Sequence, residues 1–269
     1  MAIPRVLLGH NPFIGYSYLS EARAKEYRRR FSATGAIREL IAKSVHMGVP
    51  GVFISSEPSG TPLPTDGVIK AVEEASSETG VDIFVMSNMT GPEGDLERLS
   101  GVNLRVGVVH GSIIDAMLEG RGLSGLDEML ATIRDAGVVP GIVTHTCVNL
   151  SSLIADEHDI QIFVSPFNKL GWNMRPNIGS FLSALPTLTK PFFAIKPLAM
   201  GRISPEEGFR WVFEHDYVKG CAVGIATGYE MEEDYRILKA ILEGERAPNR
   251  PPGLEPSRSQ SDFRPLGGP

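Results

Sequence analysis

Cysteine is nearly absent: Cys147 and Cys221 are the two in 269 residues. Two thiols in a chain of this length build no disulfide framework, and the chain reads as a protein of a reducing cytoplasm. Positive charge is not in surplus either. Lysine and arginine number 26 against 32 aspartates and glutamates, a formal net charge of −6. No basic field is therefore available to hold nucleic acid or an anionic membrane surface. Long apolar runs are missing. Nothing approaches the ~20 residues of a membrane span, and the apolar stretch in MAIPRVLLGHNP is too short for a secretion signal. A small-molecule substrate is the class of partner that these absences leave, with the oligomeric state open.

Motifs are lacking too. GHNPFIG, after the first apolar stretch, is no GxGxxG, so an open dinucleotide-binding sheet is a weak alternative. Neither HxH, HExxH nor a cysteine pair with zinc spacing occurs. His10, His110, His145 and Glu57 could converge, but three histidines scattered over separate strands predict no metal site.

What is present is a repeated unit of strand, polar turn and helix. Residues 192–207, FFAIKPLAMGRISPEE, show it most clearly. Phe192 to Ile195 form the continuous apolar run of a parallel strand covered on both faces. Gly201 allows a turn. Ser204 then caps a helix with Pro205 at its first position, and Glu207 completes a capping box. Strands are predicted at 5–9, 51–55, 82–86, 104–109, 139–143, 160–164, 192–195 and 221–225. Helices are predicted between them, including 20–31, a short one after strand three, one from the cap Ser124 to Ala136, one at 150–155, and a last one at about 230–243. Alternation of this kind argues a single (β/α)8 barrel over residues 1–245. Residues 246–269 hold six prolines and three glycines and read as a disordered tail.

Barrel chemistry sits where strands end. His110 follows LRVGVV and His145 follows GIVT. Each is placed to shuttle a proton or polarise a carbonyl, or simply to tie down loop backbone. Lys196 can serve as an electrophile, a Schiff-base amine or a phosphate anchor, or as a cation paired with Glu57. The loops LAMGRIS and GIATGYEM follow strands seven and eight, the usual phosphate cradle of barrels. There Gly201, Gly228 and Arg202 are candidate anion ligands.

In order along the chain, VVHGSI, GIVTHT, SPFNKLG, AIKPLAMGRISPEEGFRWVF and VGIATGYEMEED resemble the ends of strands four to eight of the aldo/keto reductases. They span residues 104–240, about half of the chain. The resemblance implies a (β/α)8 barrel and NADP(H) bound across strands five to eight. Thr144 and His145 would lie near the nicotinamide amide, with Phe167 and Asn168 beside the ring. Pro197, Leu198, Gly201 and Arg202 would follow the pyrophosphate, and Gly224, Thr227 and Gly228 the adenosine end. It also implies an Asp, Tyr, Lys and His catalytic set, of which only His110 has a counterpart. Strand two ends in Ser55-Ser56 and strand three in Ser87-Asn88, and no tyrosine occurs between Tyr27 and Tyr217. The expectation is a divergent oxidoreductase acting on a small carbonyl compound, using His110, Lys196, His145 and Glu57. Tyr16 or Tyr18 would be the replacement acids. A lyase or isomerase of a small carbonyl compound, phosphorylated or not, is the alternative, as is a non-catalytic barrel.

Overall fold

The computed structural model describes residues 3–55, 65–119 and 123–244. Glu57 and the tail 246–269 lie outside them. The first half runs β1 (Val6–Gly9), α1 (Glu21–Arg30), α2 (Thr34–His46), β2 (Gly51–Ser55), α3 (Thr65–Thr79), β3 (Phe84–Met89), α4 (Pro92–Arg98), β4 (Leu104–Val109), α5 (Gly111–Glu119) and α6 (Leu126–Asp135). The second runs β5 (Val139–Val143), α7 (Ser152–Glu157), β6 (Phe163–Pro166), α8 (Ile178–Ala184), β7 (Phe192–Ile195), α9 (Pro205–Phe213), β8 (Val218–Gly224) and α10 (Gly228–Leu242). The strands close in sequence order into one parallel barrel, with β8 returning to pair with β1 from Val6↔Cys221 to Gly9↔Gly224.

Alternation along each strand sorts its side chains into two layers. Leu7, Phe53, Phe84, Met86, Val106, Val108, Val143, Ile162, Val164, Phe193, Ile195 and Ala222 fill the barrel interior. The intervening residues, among them Leu8, Ile54, Val85, Val109, Ile142 and Phe163, pack outward against the helices. The barrel is thus a filled core, and a ligand can enter only above the top interior layer.

Several boundaries differ from expectation. β3 begins two residues later than predicted and keeps Ser87 and Asn88 inside the strand, because both pair with β2. β6 begins at Phe163, and β8 starts at Val218. The start of α6 is Gly125 at φ 84°, with no capping side chain, so Ser124 is not its cap. In α9 the Ser204 hydroxyl accepts from the Glu207 N–H, but the Glu207 carboxylate reaches Lys169 rather than back to the cap. The reciprocal capping box lies at α10 instead. Thr227 accepts from the Glu230 N–H, and Glu230 accepts from the backbone N–H of Thr227 and of Ala226. Removing one such cap typically costs about 1 kcal/mol. Thr227→Ala is expected to lower the melting temperature by about 2–4 °C in a domain of this size, read by circular dichroism. An unchanged transition would show that α10 is held by its buried face alone.

Candidate active site

A cavity of about 590 Å³ opens at the C-terminal end of the strands. His10, His110, His145 and Lys196 all line it. Strand periodicity explains the two central histidines. Val106 and Val108 point inward, so His110, two residues on, does also; Val143 sets His145 in the same way. Lys196 gets there differently. It follows inward-facing Ile195 and would turn outward, but its backbone sits at φ 57°, in the left-handed region. Ala199 and Met200 share positive φ values in the same turn. Such conformations are unfavourable for residues with a Cβ, and they gather where surrounding structure enforces them at functional sites.

The three elements β5, α5 and β7 build a hydrogen-bonded chain. Lys196 Nζ donates toward His145 Nε2 at 3.4 Å. His145 Nδ1 donates to Asp115 Oδ2 at 2.9 Å, and the His145 backbone N–H also reaches Asp115. Asp115 further accepts from the Thr144 hydroxyl at 2.8 Å and from Arg175 at 2.8 Å. The carboxylate is buried, 8% exposed. Burial alone would raise its pKa, but the hydrogen bonds from His145 and Thr144 outweigh this and hold it below the ordinary value. His145 is shifted down, first by burial and then by Lys196, against the pull of Asp115. A neutral His145 gives its one proton to Asp115 and keeps Nε2 as an acceptor for the lysine. Burial at the cavity floor pulls the Lys196 ammonium down to about 8, with Asp115 pulling weakly the other way.

The remaining polar groups frame this chain. His10 Nδ1 donates to the Phe53 carbonyl at 3.1 Å, and burial brings its pKa down to about 4, so the ring is neutral. His110 Nδ1 accepts the Ser112 backbone N–H at 3.1 Å, which leaves the ring proton on Nε2. Tyr18 lies over Lys196, its ring centroid 5.2 Å from Nζ, and packs edge-on to both Tyr16 and Trp172. Although 37% exposed, the Tyr18 phenol is pushed up to about 12 by burial at the mouth and by Tyr16. At neutral pH it is a poorer acid than Lys196.

Of the positions named for NADP(H), Pro197, Leu198, Gly201 and Gly224 line the cavity together with His145. The others do not form a cradle. Thr144 points outward, one residue after inward-facing Val143, and its hydroxyl is spent on Asp115. Phe167 is fully buried among Phe192, Trp211, His215 and Tyr217, with no face open for a flat ring. Asn168 is fully buried and clamps the backbone of Trp172 at both its N–H and its carbonyl. Arg202 is not among the cavity walls, and Gly201 donates its N–H to the Leu198 carbonyl. Thr227 caps α10, and the Lys43 amine stands beside Gly228. The residues present therefore do not fit NADP(H) as the set that the resemblance implies. Glu57, the expected carboxylate for Lys196, lies outside the described residues; among those described, Asp115 is the carboxylate that acts on the lysine.

Asp115 and Arg175 are the members of this chain that sequence reasoning misses. A signal for Asp115 exists: GSIIDAMLE follows β4 and carries Ile113, Ile114 and Met117 at helical spacing, which makes α5 and brings Asp115 back over β5.

No family model matches the chain, and no curated protein matches it by sequence. Solved structures do match by fold. A candidate aldo-keto reductase from Pseudomonas aeruginosa superposes with a TM-score of 0.62 at 16% identity, covering 88% of this chain and 91% of that one. The apo form of an aldo-keto reductase from Bacillus halodurans gives 0.56 at 13% identity, covering 82% and 90%. A thiamine phosphate pyrophosphorylase from Pyrococcus furiosus gives 0.50 at 12% identity, covering 77% and 89%. The chain thus folds as an aldo/keto reductase-like barrel. The range of chemistries among such matches means that the reaction must be argued from the site.

Proposed function

We propose that this protein is an enzyme of small carbonyl compounds that uses the Lys196 amine as its nucleophile, in the manner of a lyase or isomerase. The observation that carries this reading is the chain Lys196–His145–Asp115 at the floor of the cavity. A lysine titrating near 8 is about one-tenth free amine at neutral pH, against well under one part in a thousand at its ordinary value. The amine nitrogen attacks the carbonyl carbon, a C–N bond forms, and the carbonyl π pair moves onto oxygen. His145 Nε2 takes the proton that nitrogen sheds and passes it to the oxygen, which leaves a neutral carbinolamine. A second proton, from solvent, lets that oxygen leave as water and gives an iminium, which accepts the electron pair of a neighbouring C–H or C–C bond while neutral His145 takes the proton released. Asp115 holds His145 in the required tautomer and stabilises its cation. His110 Nε2–H faces the same cavity and is suited to donate a hydrogen bond to the departing oxygen.

NADP(H)-linked oxidoreduction is the second reading. The fold and the cavity positions of Pro197, Leu198, Gly201 and Gly224 favour it, and the outward or engaged positions of Thr144, Phe167, Asn168 and Thr227 count against it.

One experiment separates the two. The purified protein is exposed briefly to hydroxyacetone with sodium borohydride, and peptides are mapped by mass spectrometry; NADPH is titrated in parallel by fluorescence. The expected result is a reduced adduct on the Lys196 peptide well ahead of surface lysines such as Lys70, whose side chain is 65% exposed. No selective adduct together with saturable NADPH binding would replace the lysine reading with the second.

A further inference from the structure

Charge in the cavity runs against the charge of the chain. The protein carries a formal net charge of −6, yet the cavity is walled by the cations Lys196 and Arg23 and by one carboxylate, Glu230. That carboxylate is committed, since it accepts from the backbone N–H groups of Ala226 and Thr227 at the start of α10. Arg23 stands on the first turn of α1, and only its backbone is used locally, in the cap made by Ser20. On the same helix Arg28 pairs with Glu21 and Arg30 with Glu26, and Arg29 lies outside the cavity walls. Among the described residues Arg23 forms no ion pair, although its side chain faces a cavity shared with Tyr27 and Tyr18. An arginine fork without a carboxylate, on the wall of an open cavity, is suited to an oxyanion from outside the chain.

We infer that the substrate is an anionic carbonyl compound, whose carboxylate or phosphate is held by Arg23 while its carbonyl group meets Lys196. This rests on the carbonyl reading above, but the Arg23 part is separable from it. The anion also complements the Lys196 ammonium, so binding should be weakened by salt more than that of a neutral analogue.

The test compares charged and uncharged partners of the same skeleton: dihydroxyacetone phosphate with dihydroxyacetone, and pyruvate with acetone. Binding is followed by ligand-observed NMR on wild type, Arg23→Ala and, as a control for general charge, Arg29→Ala, which removes an exposed arginine outside the cavity walls. Borohydride trapping is run on each. Arg23 is partly exposed and forms no ion pair among the described residues, so its loss should leave folding intact, and a matching melting temperature checks this. The expected result is at least a tenfold preference for one charged partner in wild type, reduced to within about threefold in Arg23→Ala and kept in Arg29→Ala. Which charged partner is preferred distinguishes a phosphate from a carboxylate. Equal binding of charged and neutral partners, a preference that survives in Arg23→Ala, or no binding of either kind would overturn the inference. So would an Arg23→Ala effect confined to NADPH, which would assign the cation to a nucleotide. A preference lost with Arg23 but without any trapped adduct would uphold the anion site and remove the amine chemistry.

Discussion

Lys196→Met should abolish borohydride-trapped adducts and, at the same time, make the protein more stable. The two effects have one cause. The cavity floor pulls the ammonium from 10.5 to about 8, which means that the folded state disfavours the charged form. A tenfold change in a proton-binding equilibrium corresponds to about 1.4 kcal/mol; discounted for the half-buried position of the side chain, the gain on removing the charge is on the order of 2 kcal/mol. Methionine fills similar space without the charge. The effect depends on pH in a fixed direction. A lysine with a depressed folded-state pKa is charged in both states below about 8, so the penalty is fully present there. Between about 8 and 10.5 the unfolded chain binds the extra proton, wild-type stability rises, and the advantage of Lys196→Met shrinks. Urea denaturation of both proteins at pH 7 and pH 10 measures this. A variant less stable than wild type at pH 7 would mean that the ammonium is well paired and does not serve as a strained nucleophile.

Asp115→Asn should have the largest destabilising effect of any single substitution at the site. The carboxylate accepts from the Thr144 hydroxyl, the His145 ring, the His145 backbone N–H and Arg175. An amide offers one oxygen and turns an NH2 toward donors, leaving at least one buried group without a partner. Breaking a buried charged network of this kind costs about 3–5 kcal/mol, equivalent to a fall on the order of 10 °C in melting temperature. The pH dependence has the same sign as that of Lys196, since both groups are depressed in the folded state and both make stability rise with pH, but it falls in the acid range. Asp115 is depressed in the folded state, so its contribution is present above the unfolded carboxylate range and is lost as pH falls through the folded value. Wild type and Asp115→Asn should therefore converge in stability on acidification, which an acid titration by circular dichroism would show. Lys196 should also titrate lower in the variant, since Asp115 is the group that raises it. Equal stability at pH 7 would remove Asp115 from the centre of the site.

The contrast between Lys196 and its neighbours shows how far the sequence reaches. His110 and His145 face the cavity because they stand two residues beyond inward-facing valines, and a period of two can be counted along GVNLRVGVVH and VPGIVTH. The same count turns Thr144 and Phe167 outward, whereas the family resemblance, which ignores that alternation, makes them cofactor ligands. The barrel itself is legible because strands two, four, five and seven are short apolar runs with clear ends, and their limits match the structure. Strands three, six and eight lie two or three residues from their predicted starts, since apolar residues on both sides blur the boundaries. The inward turn of Lys196 is not legible, because it depends on a positive φ enforced by the loop that follows. Nor is its burial, which depends on Tyr18 and on a long first loop folding back over the mouth.

The most direct measurement is the titration of Lys196 itself, followed by NMR on protein carrying 13Cε-labelled lysine, with Lys196→Met identifying the resonance. The expected result is an apparent pKa near 8, well below the ordinary lysine value of 10.5, and a further fall in Asp115→Asn. A Lys196 resonance titrating near 10.5 would contradict the assignment of this amine as the nucleophile.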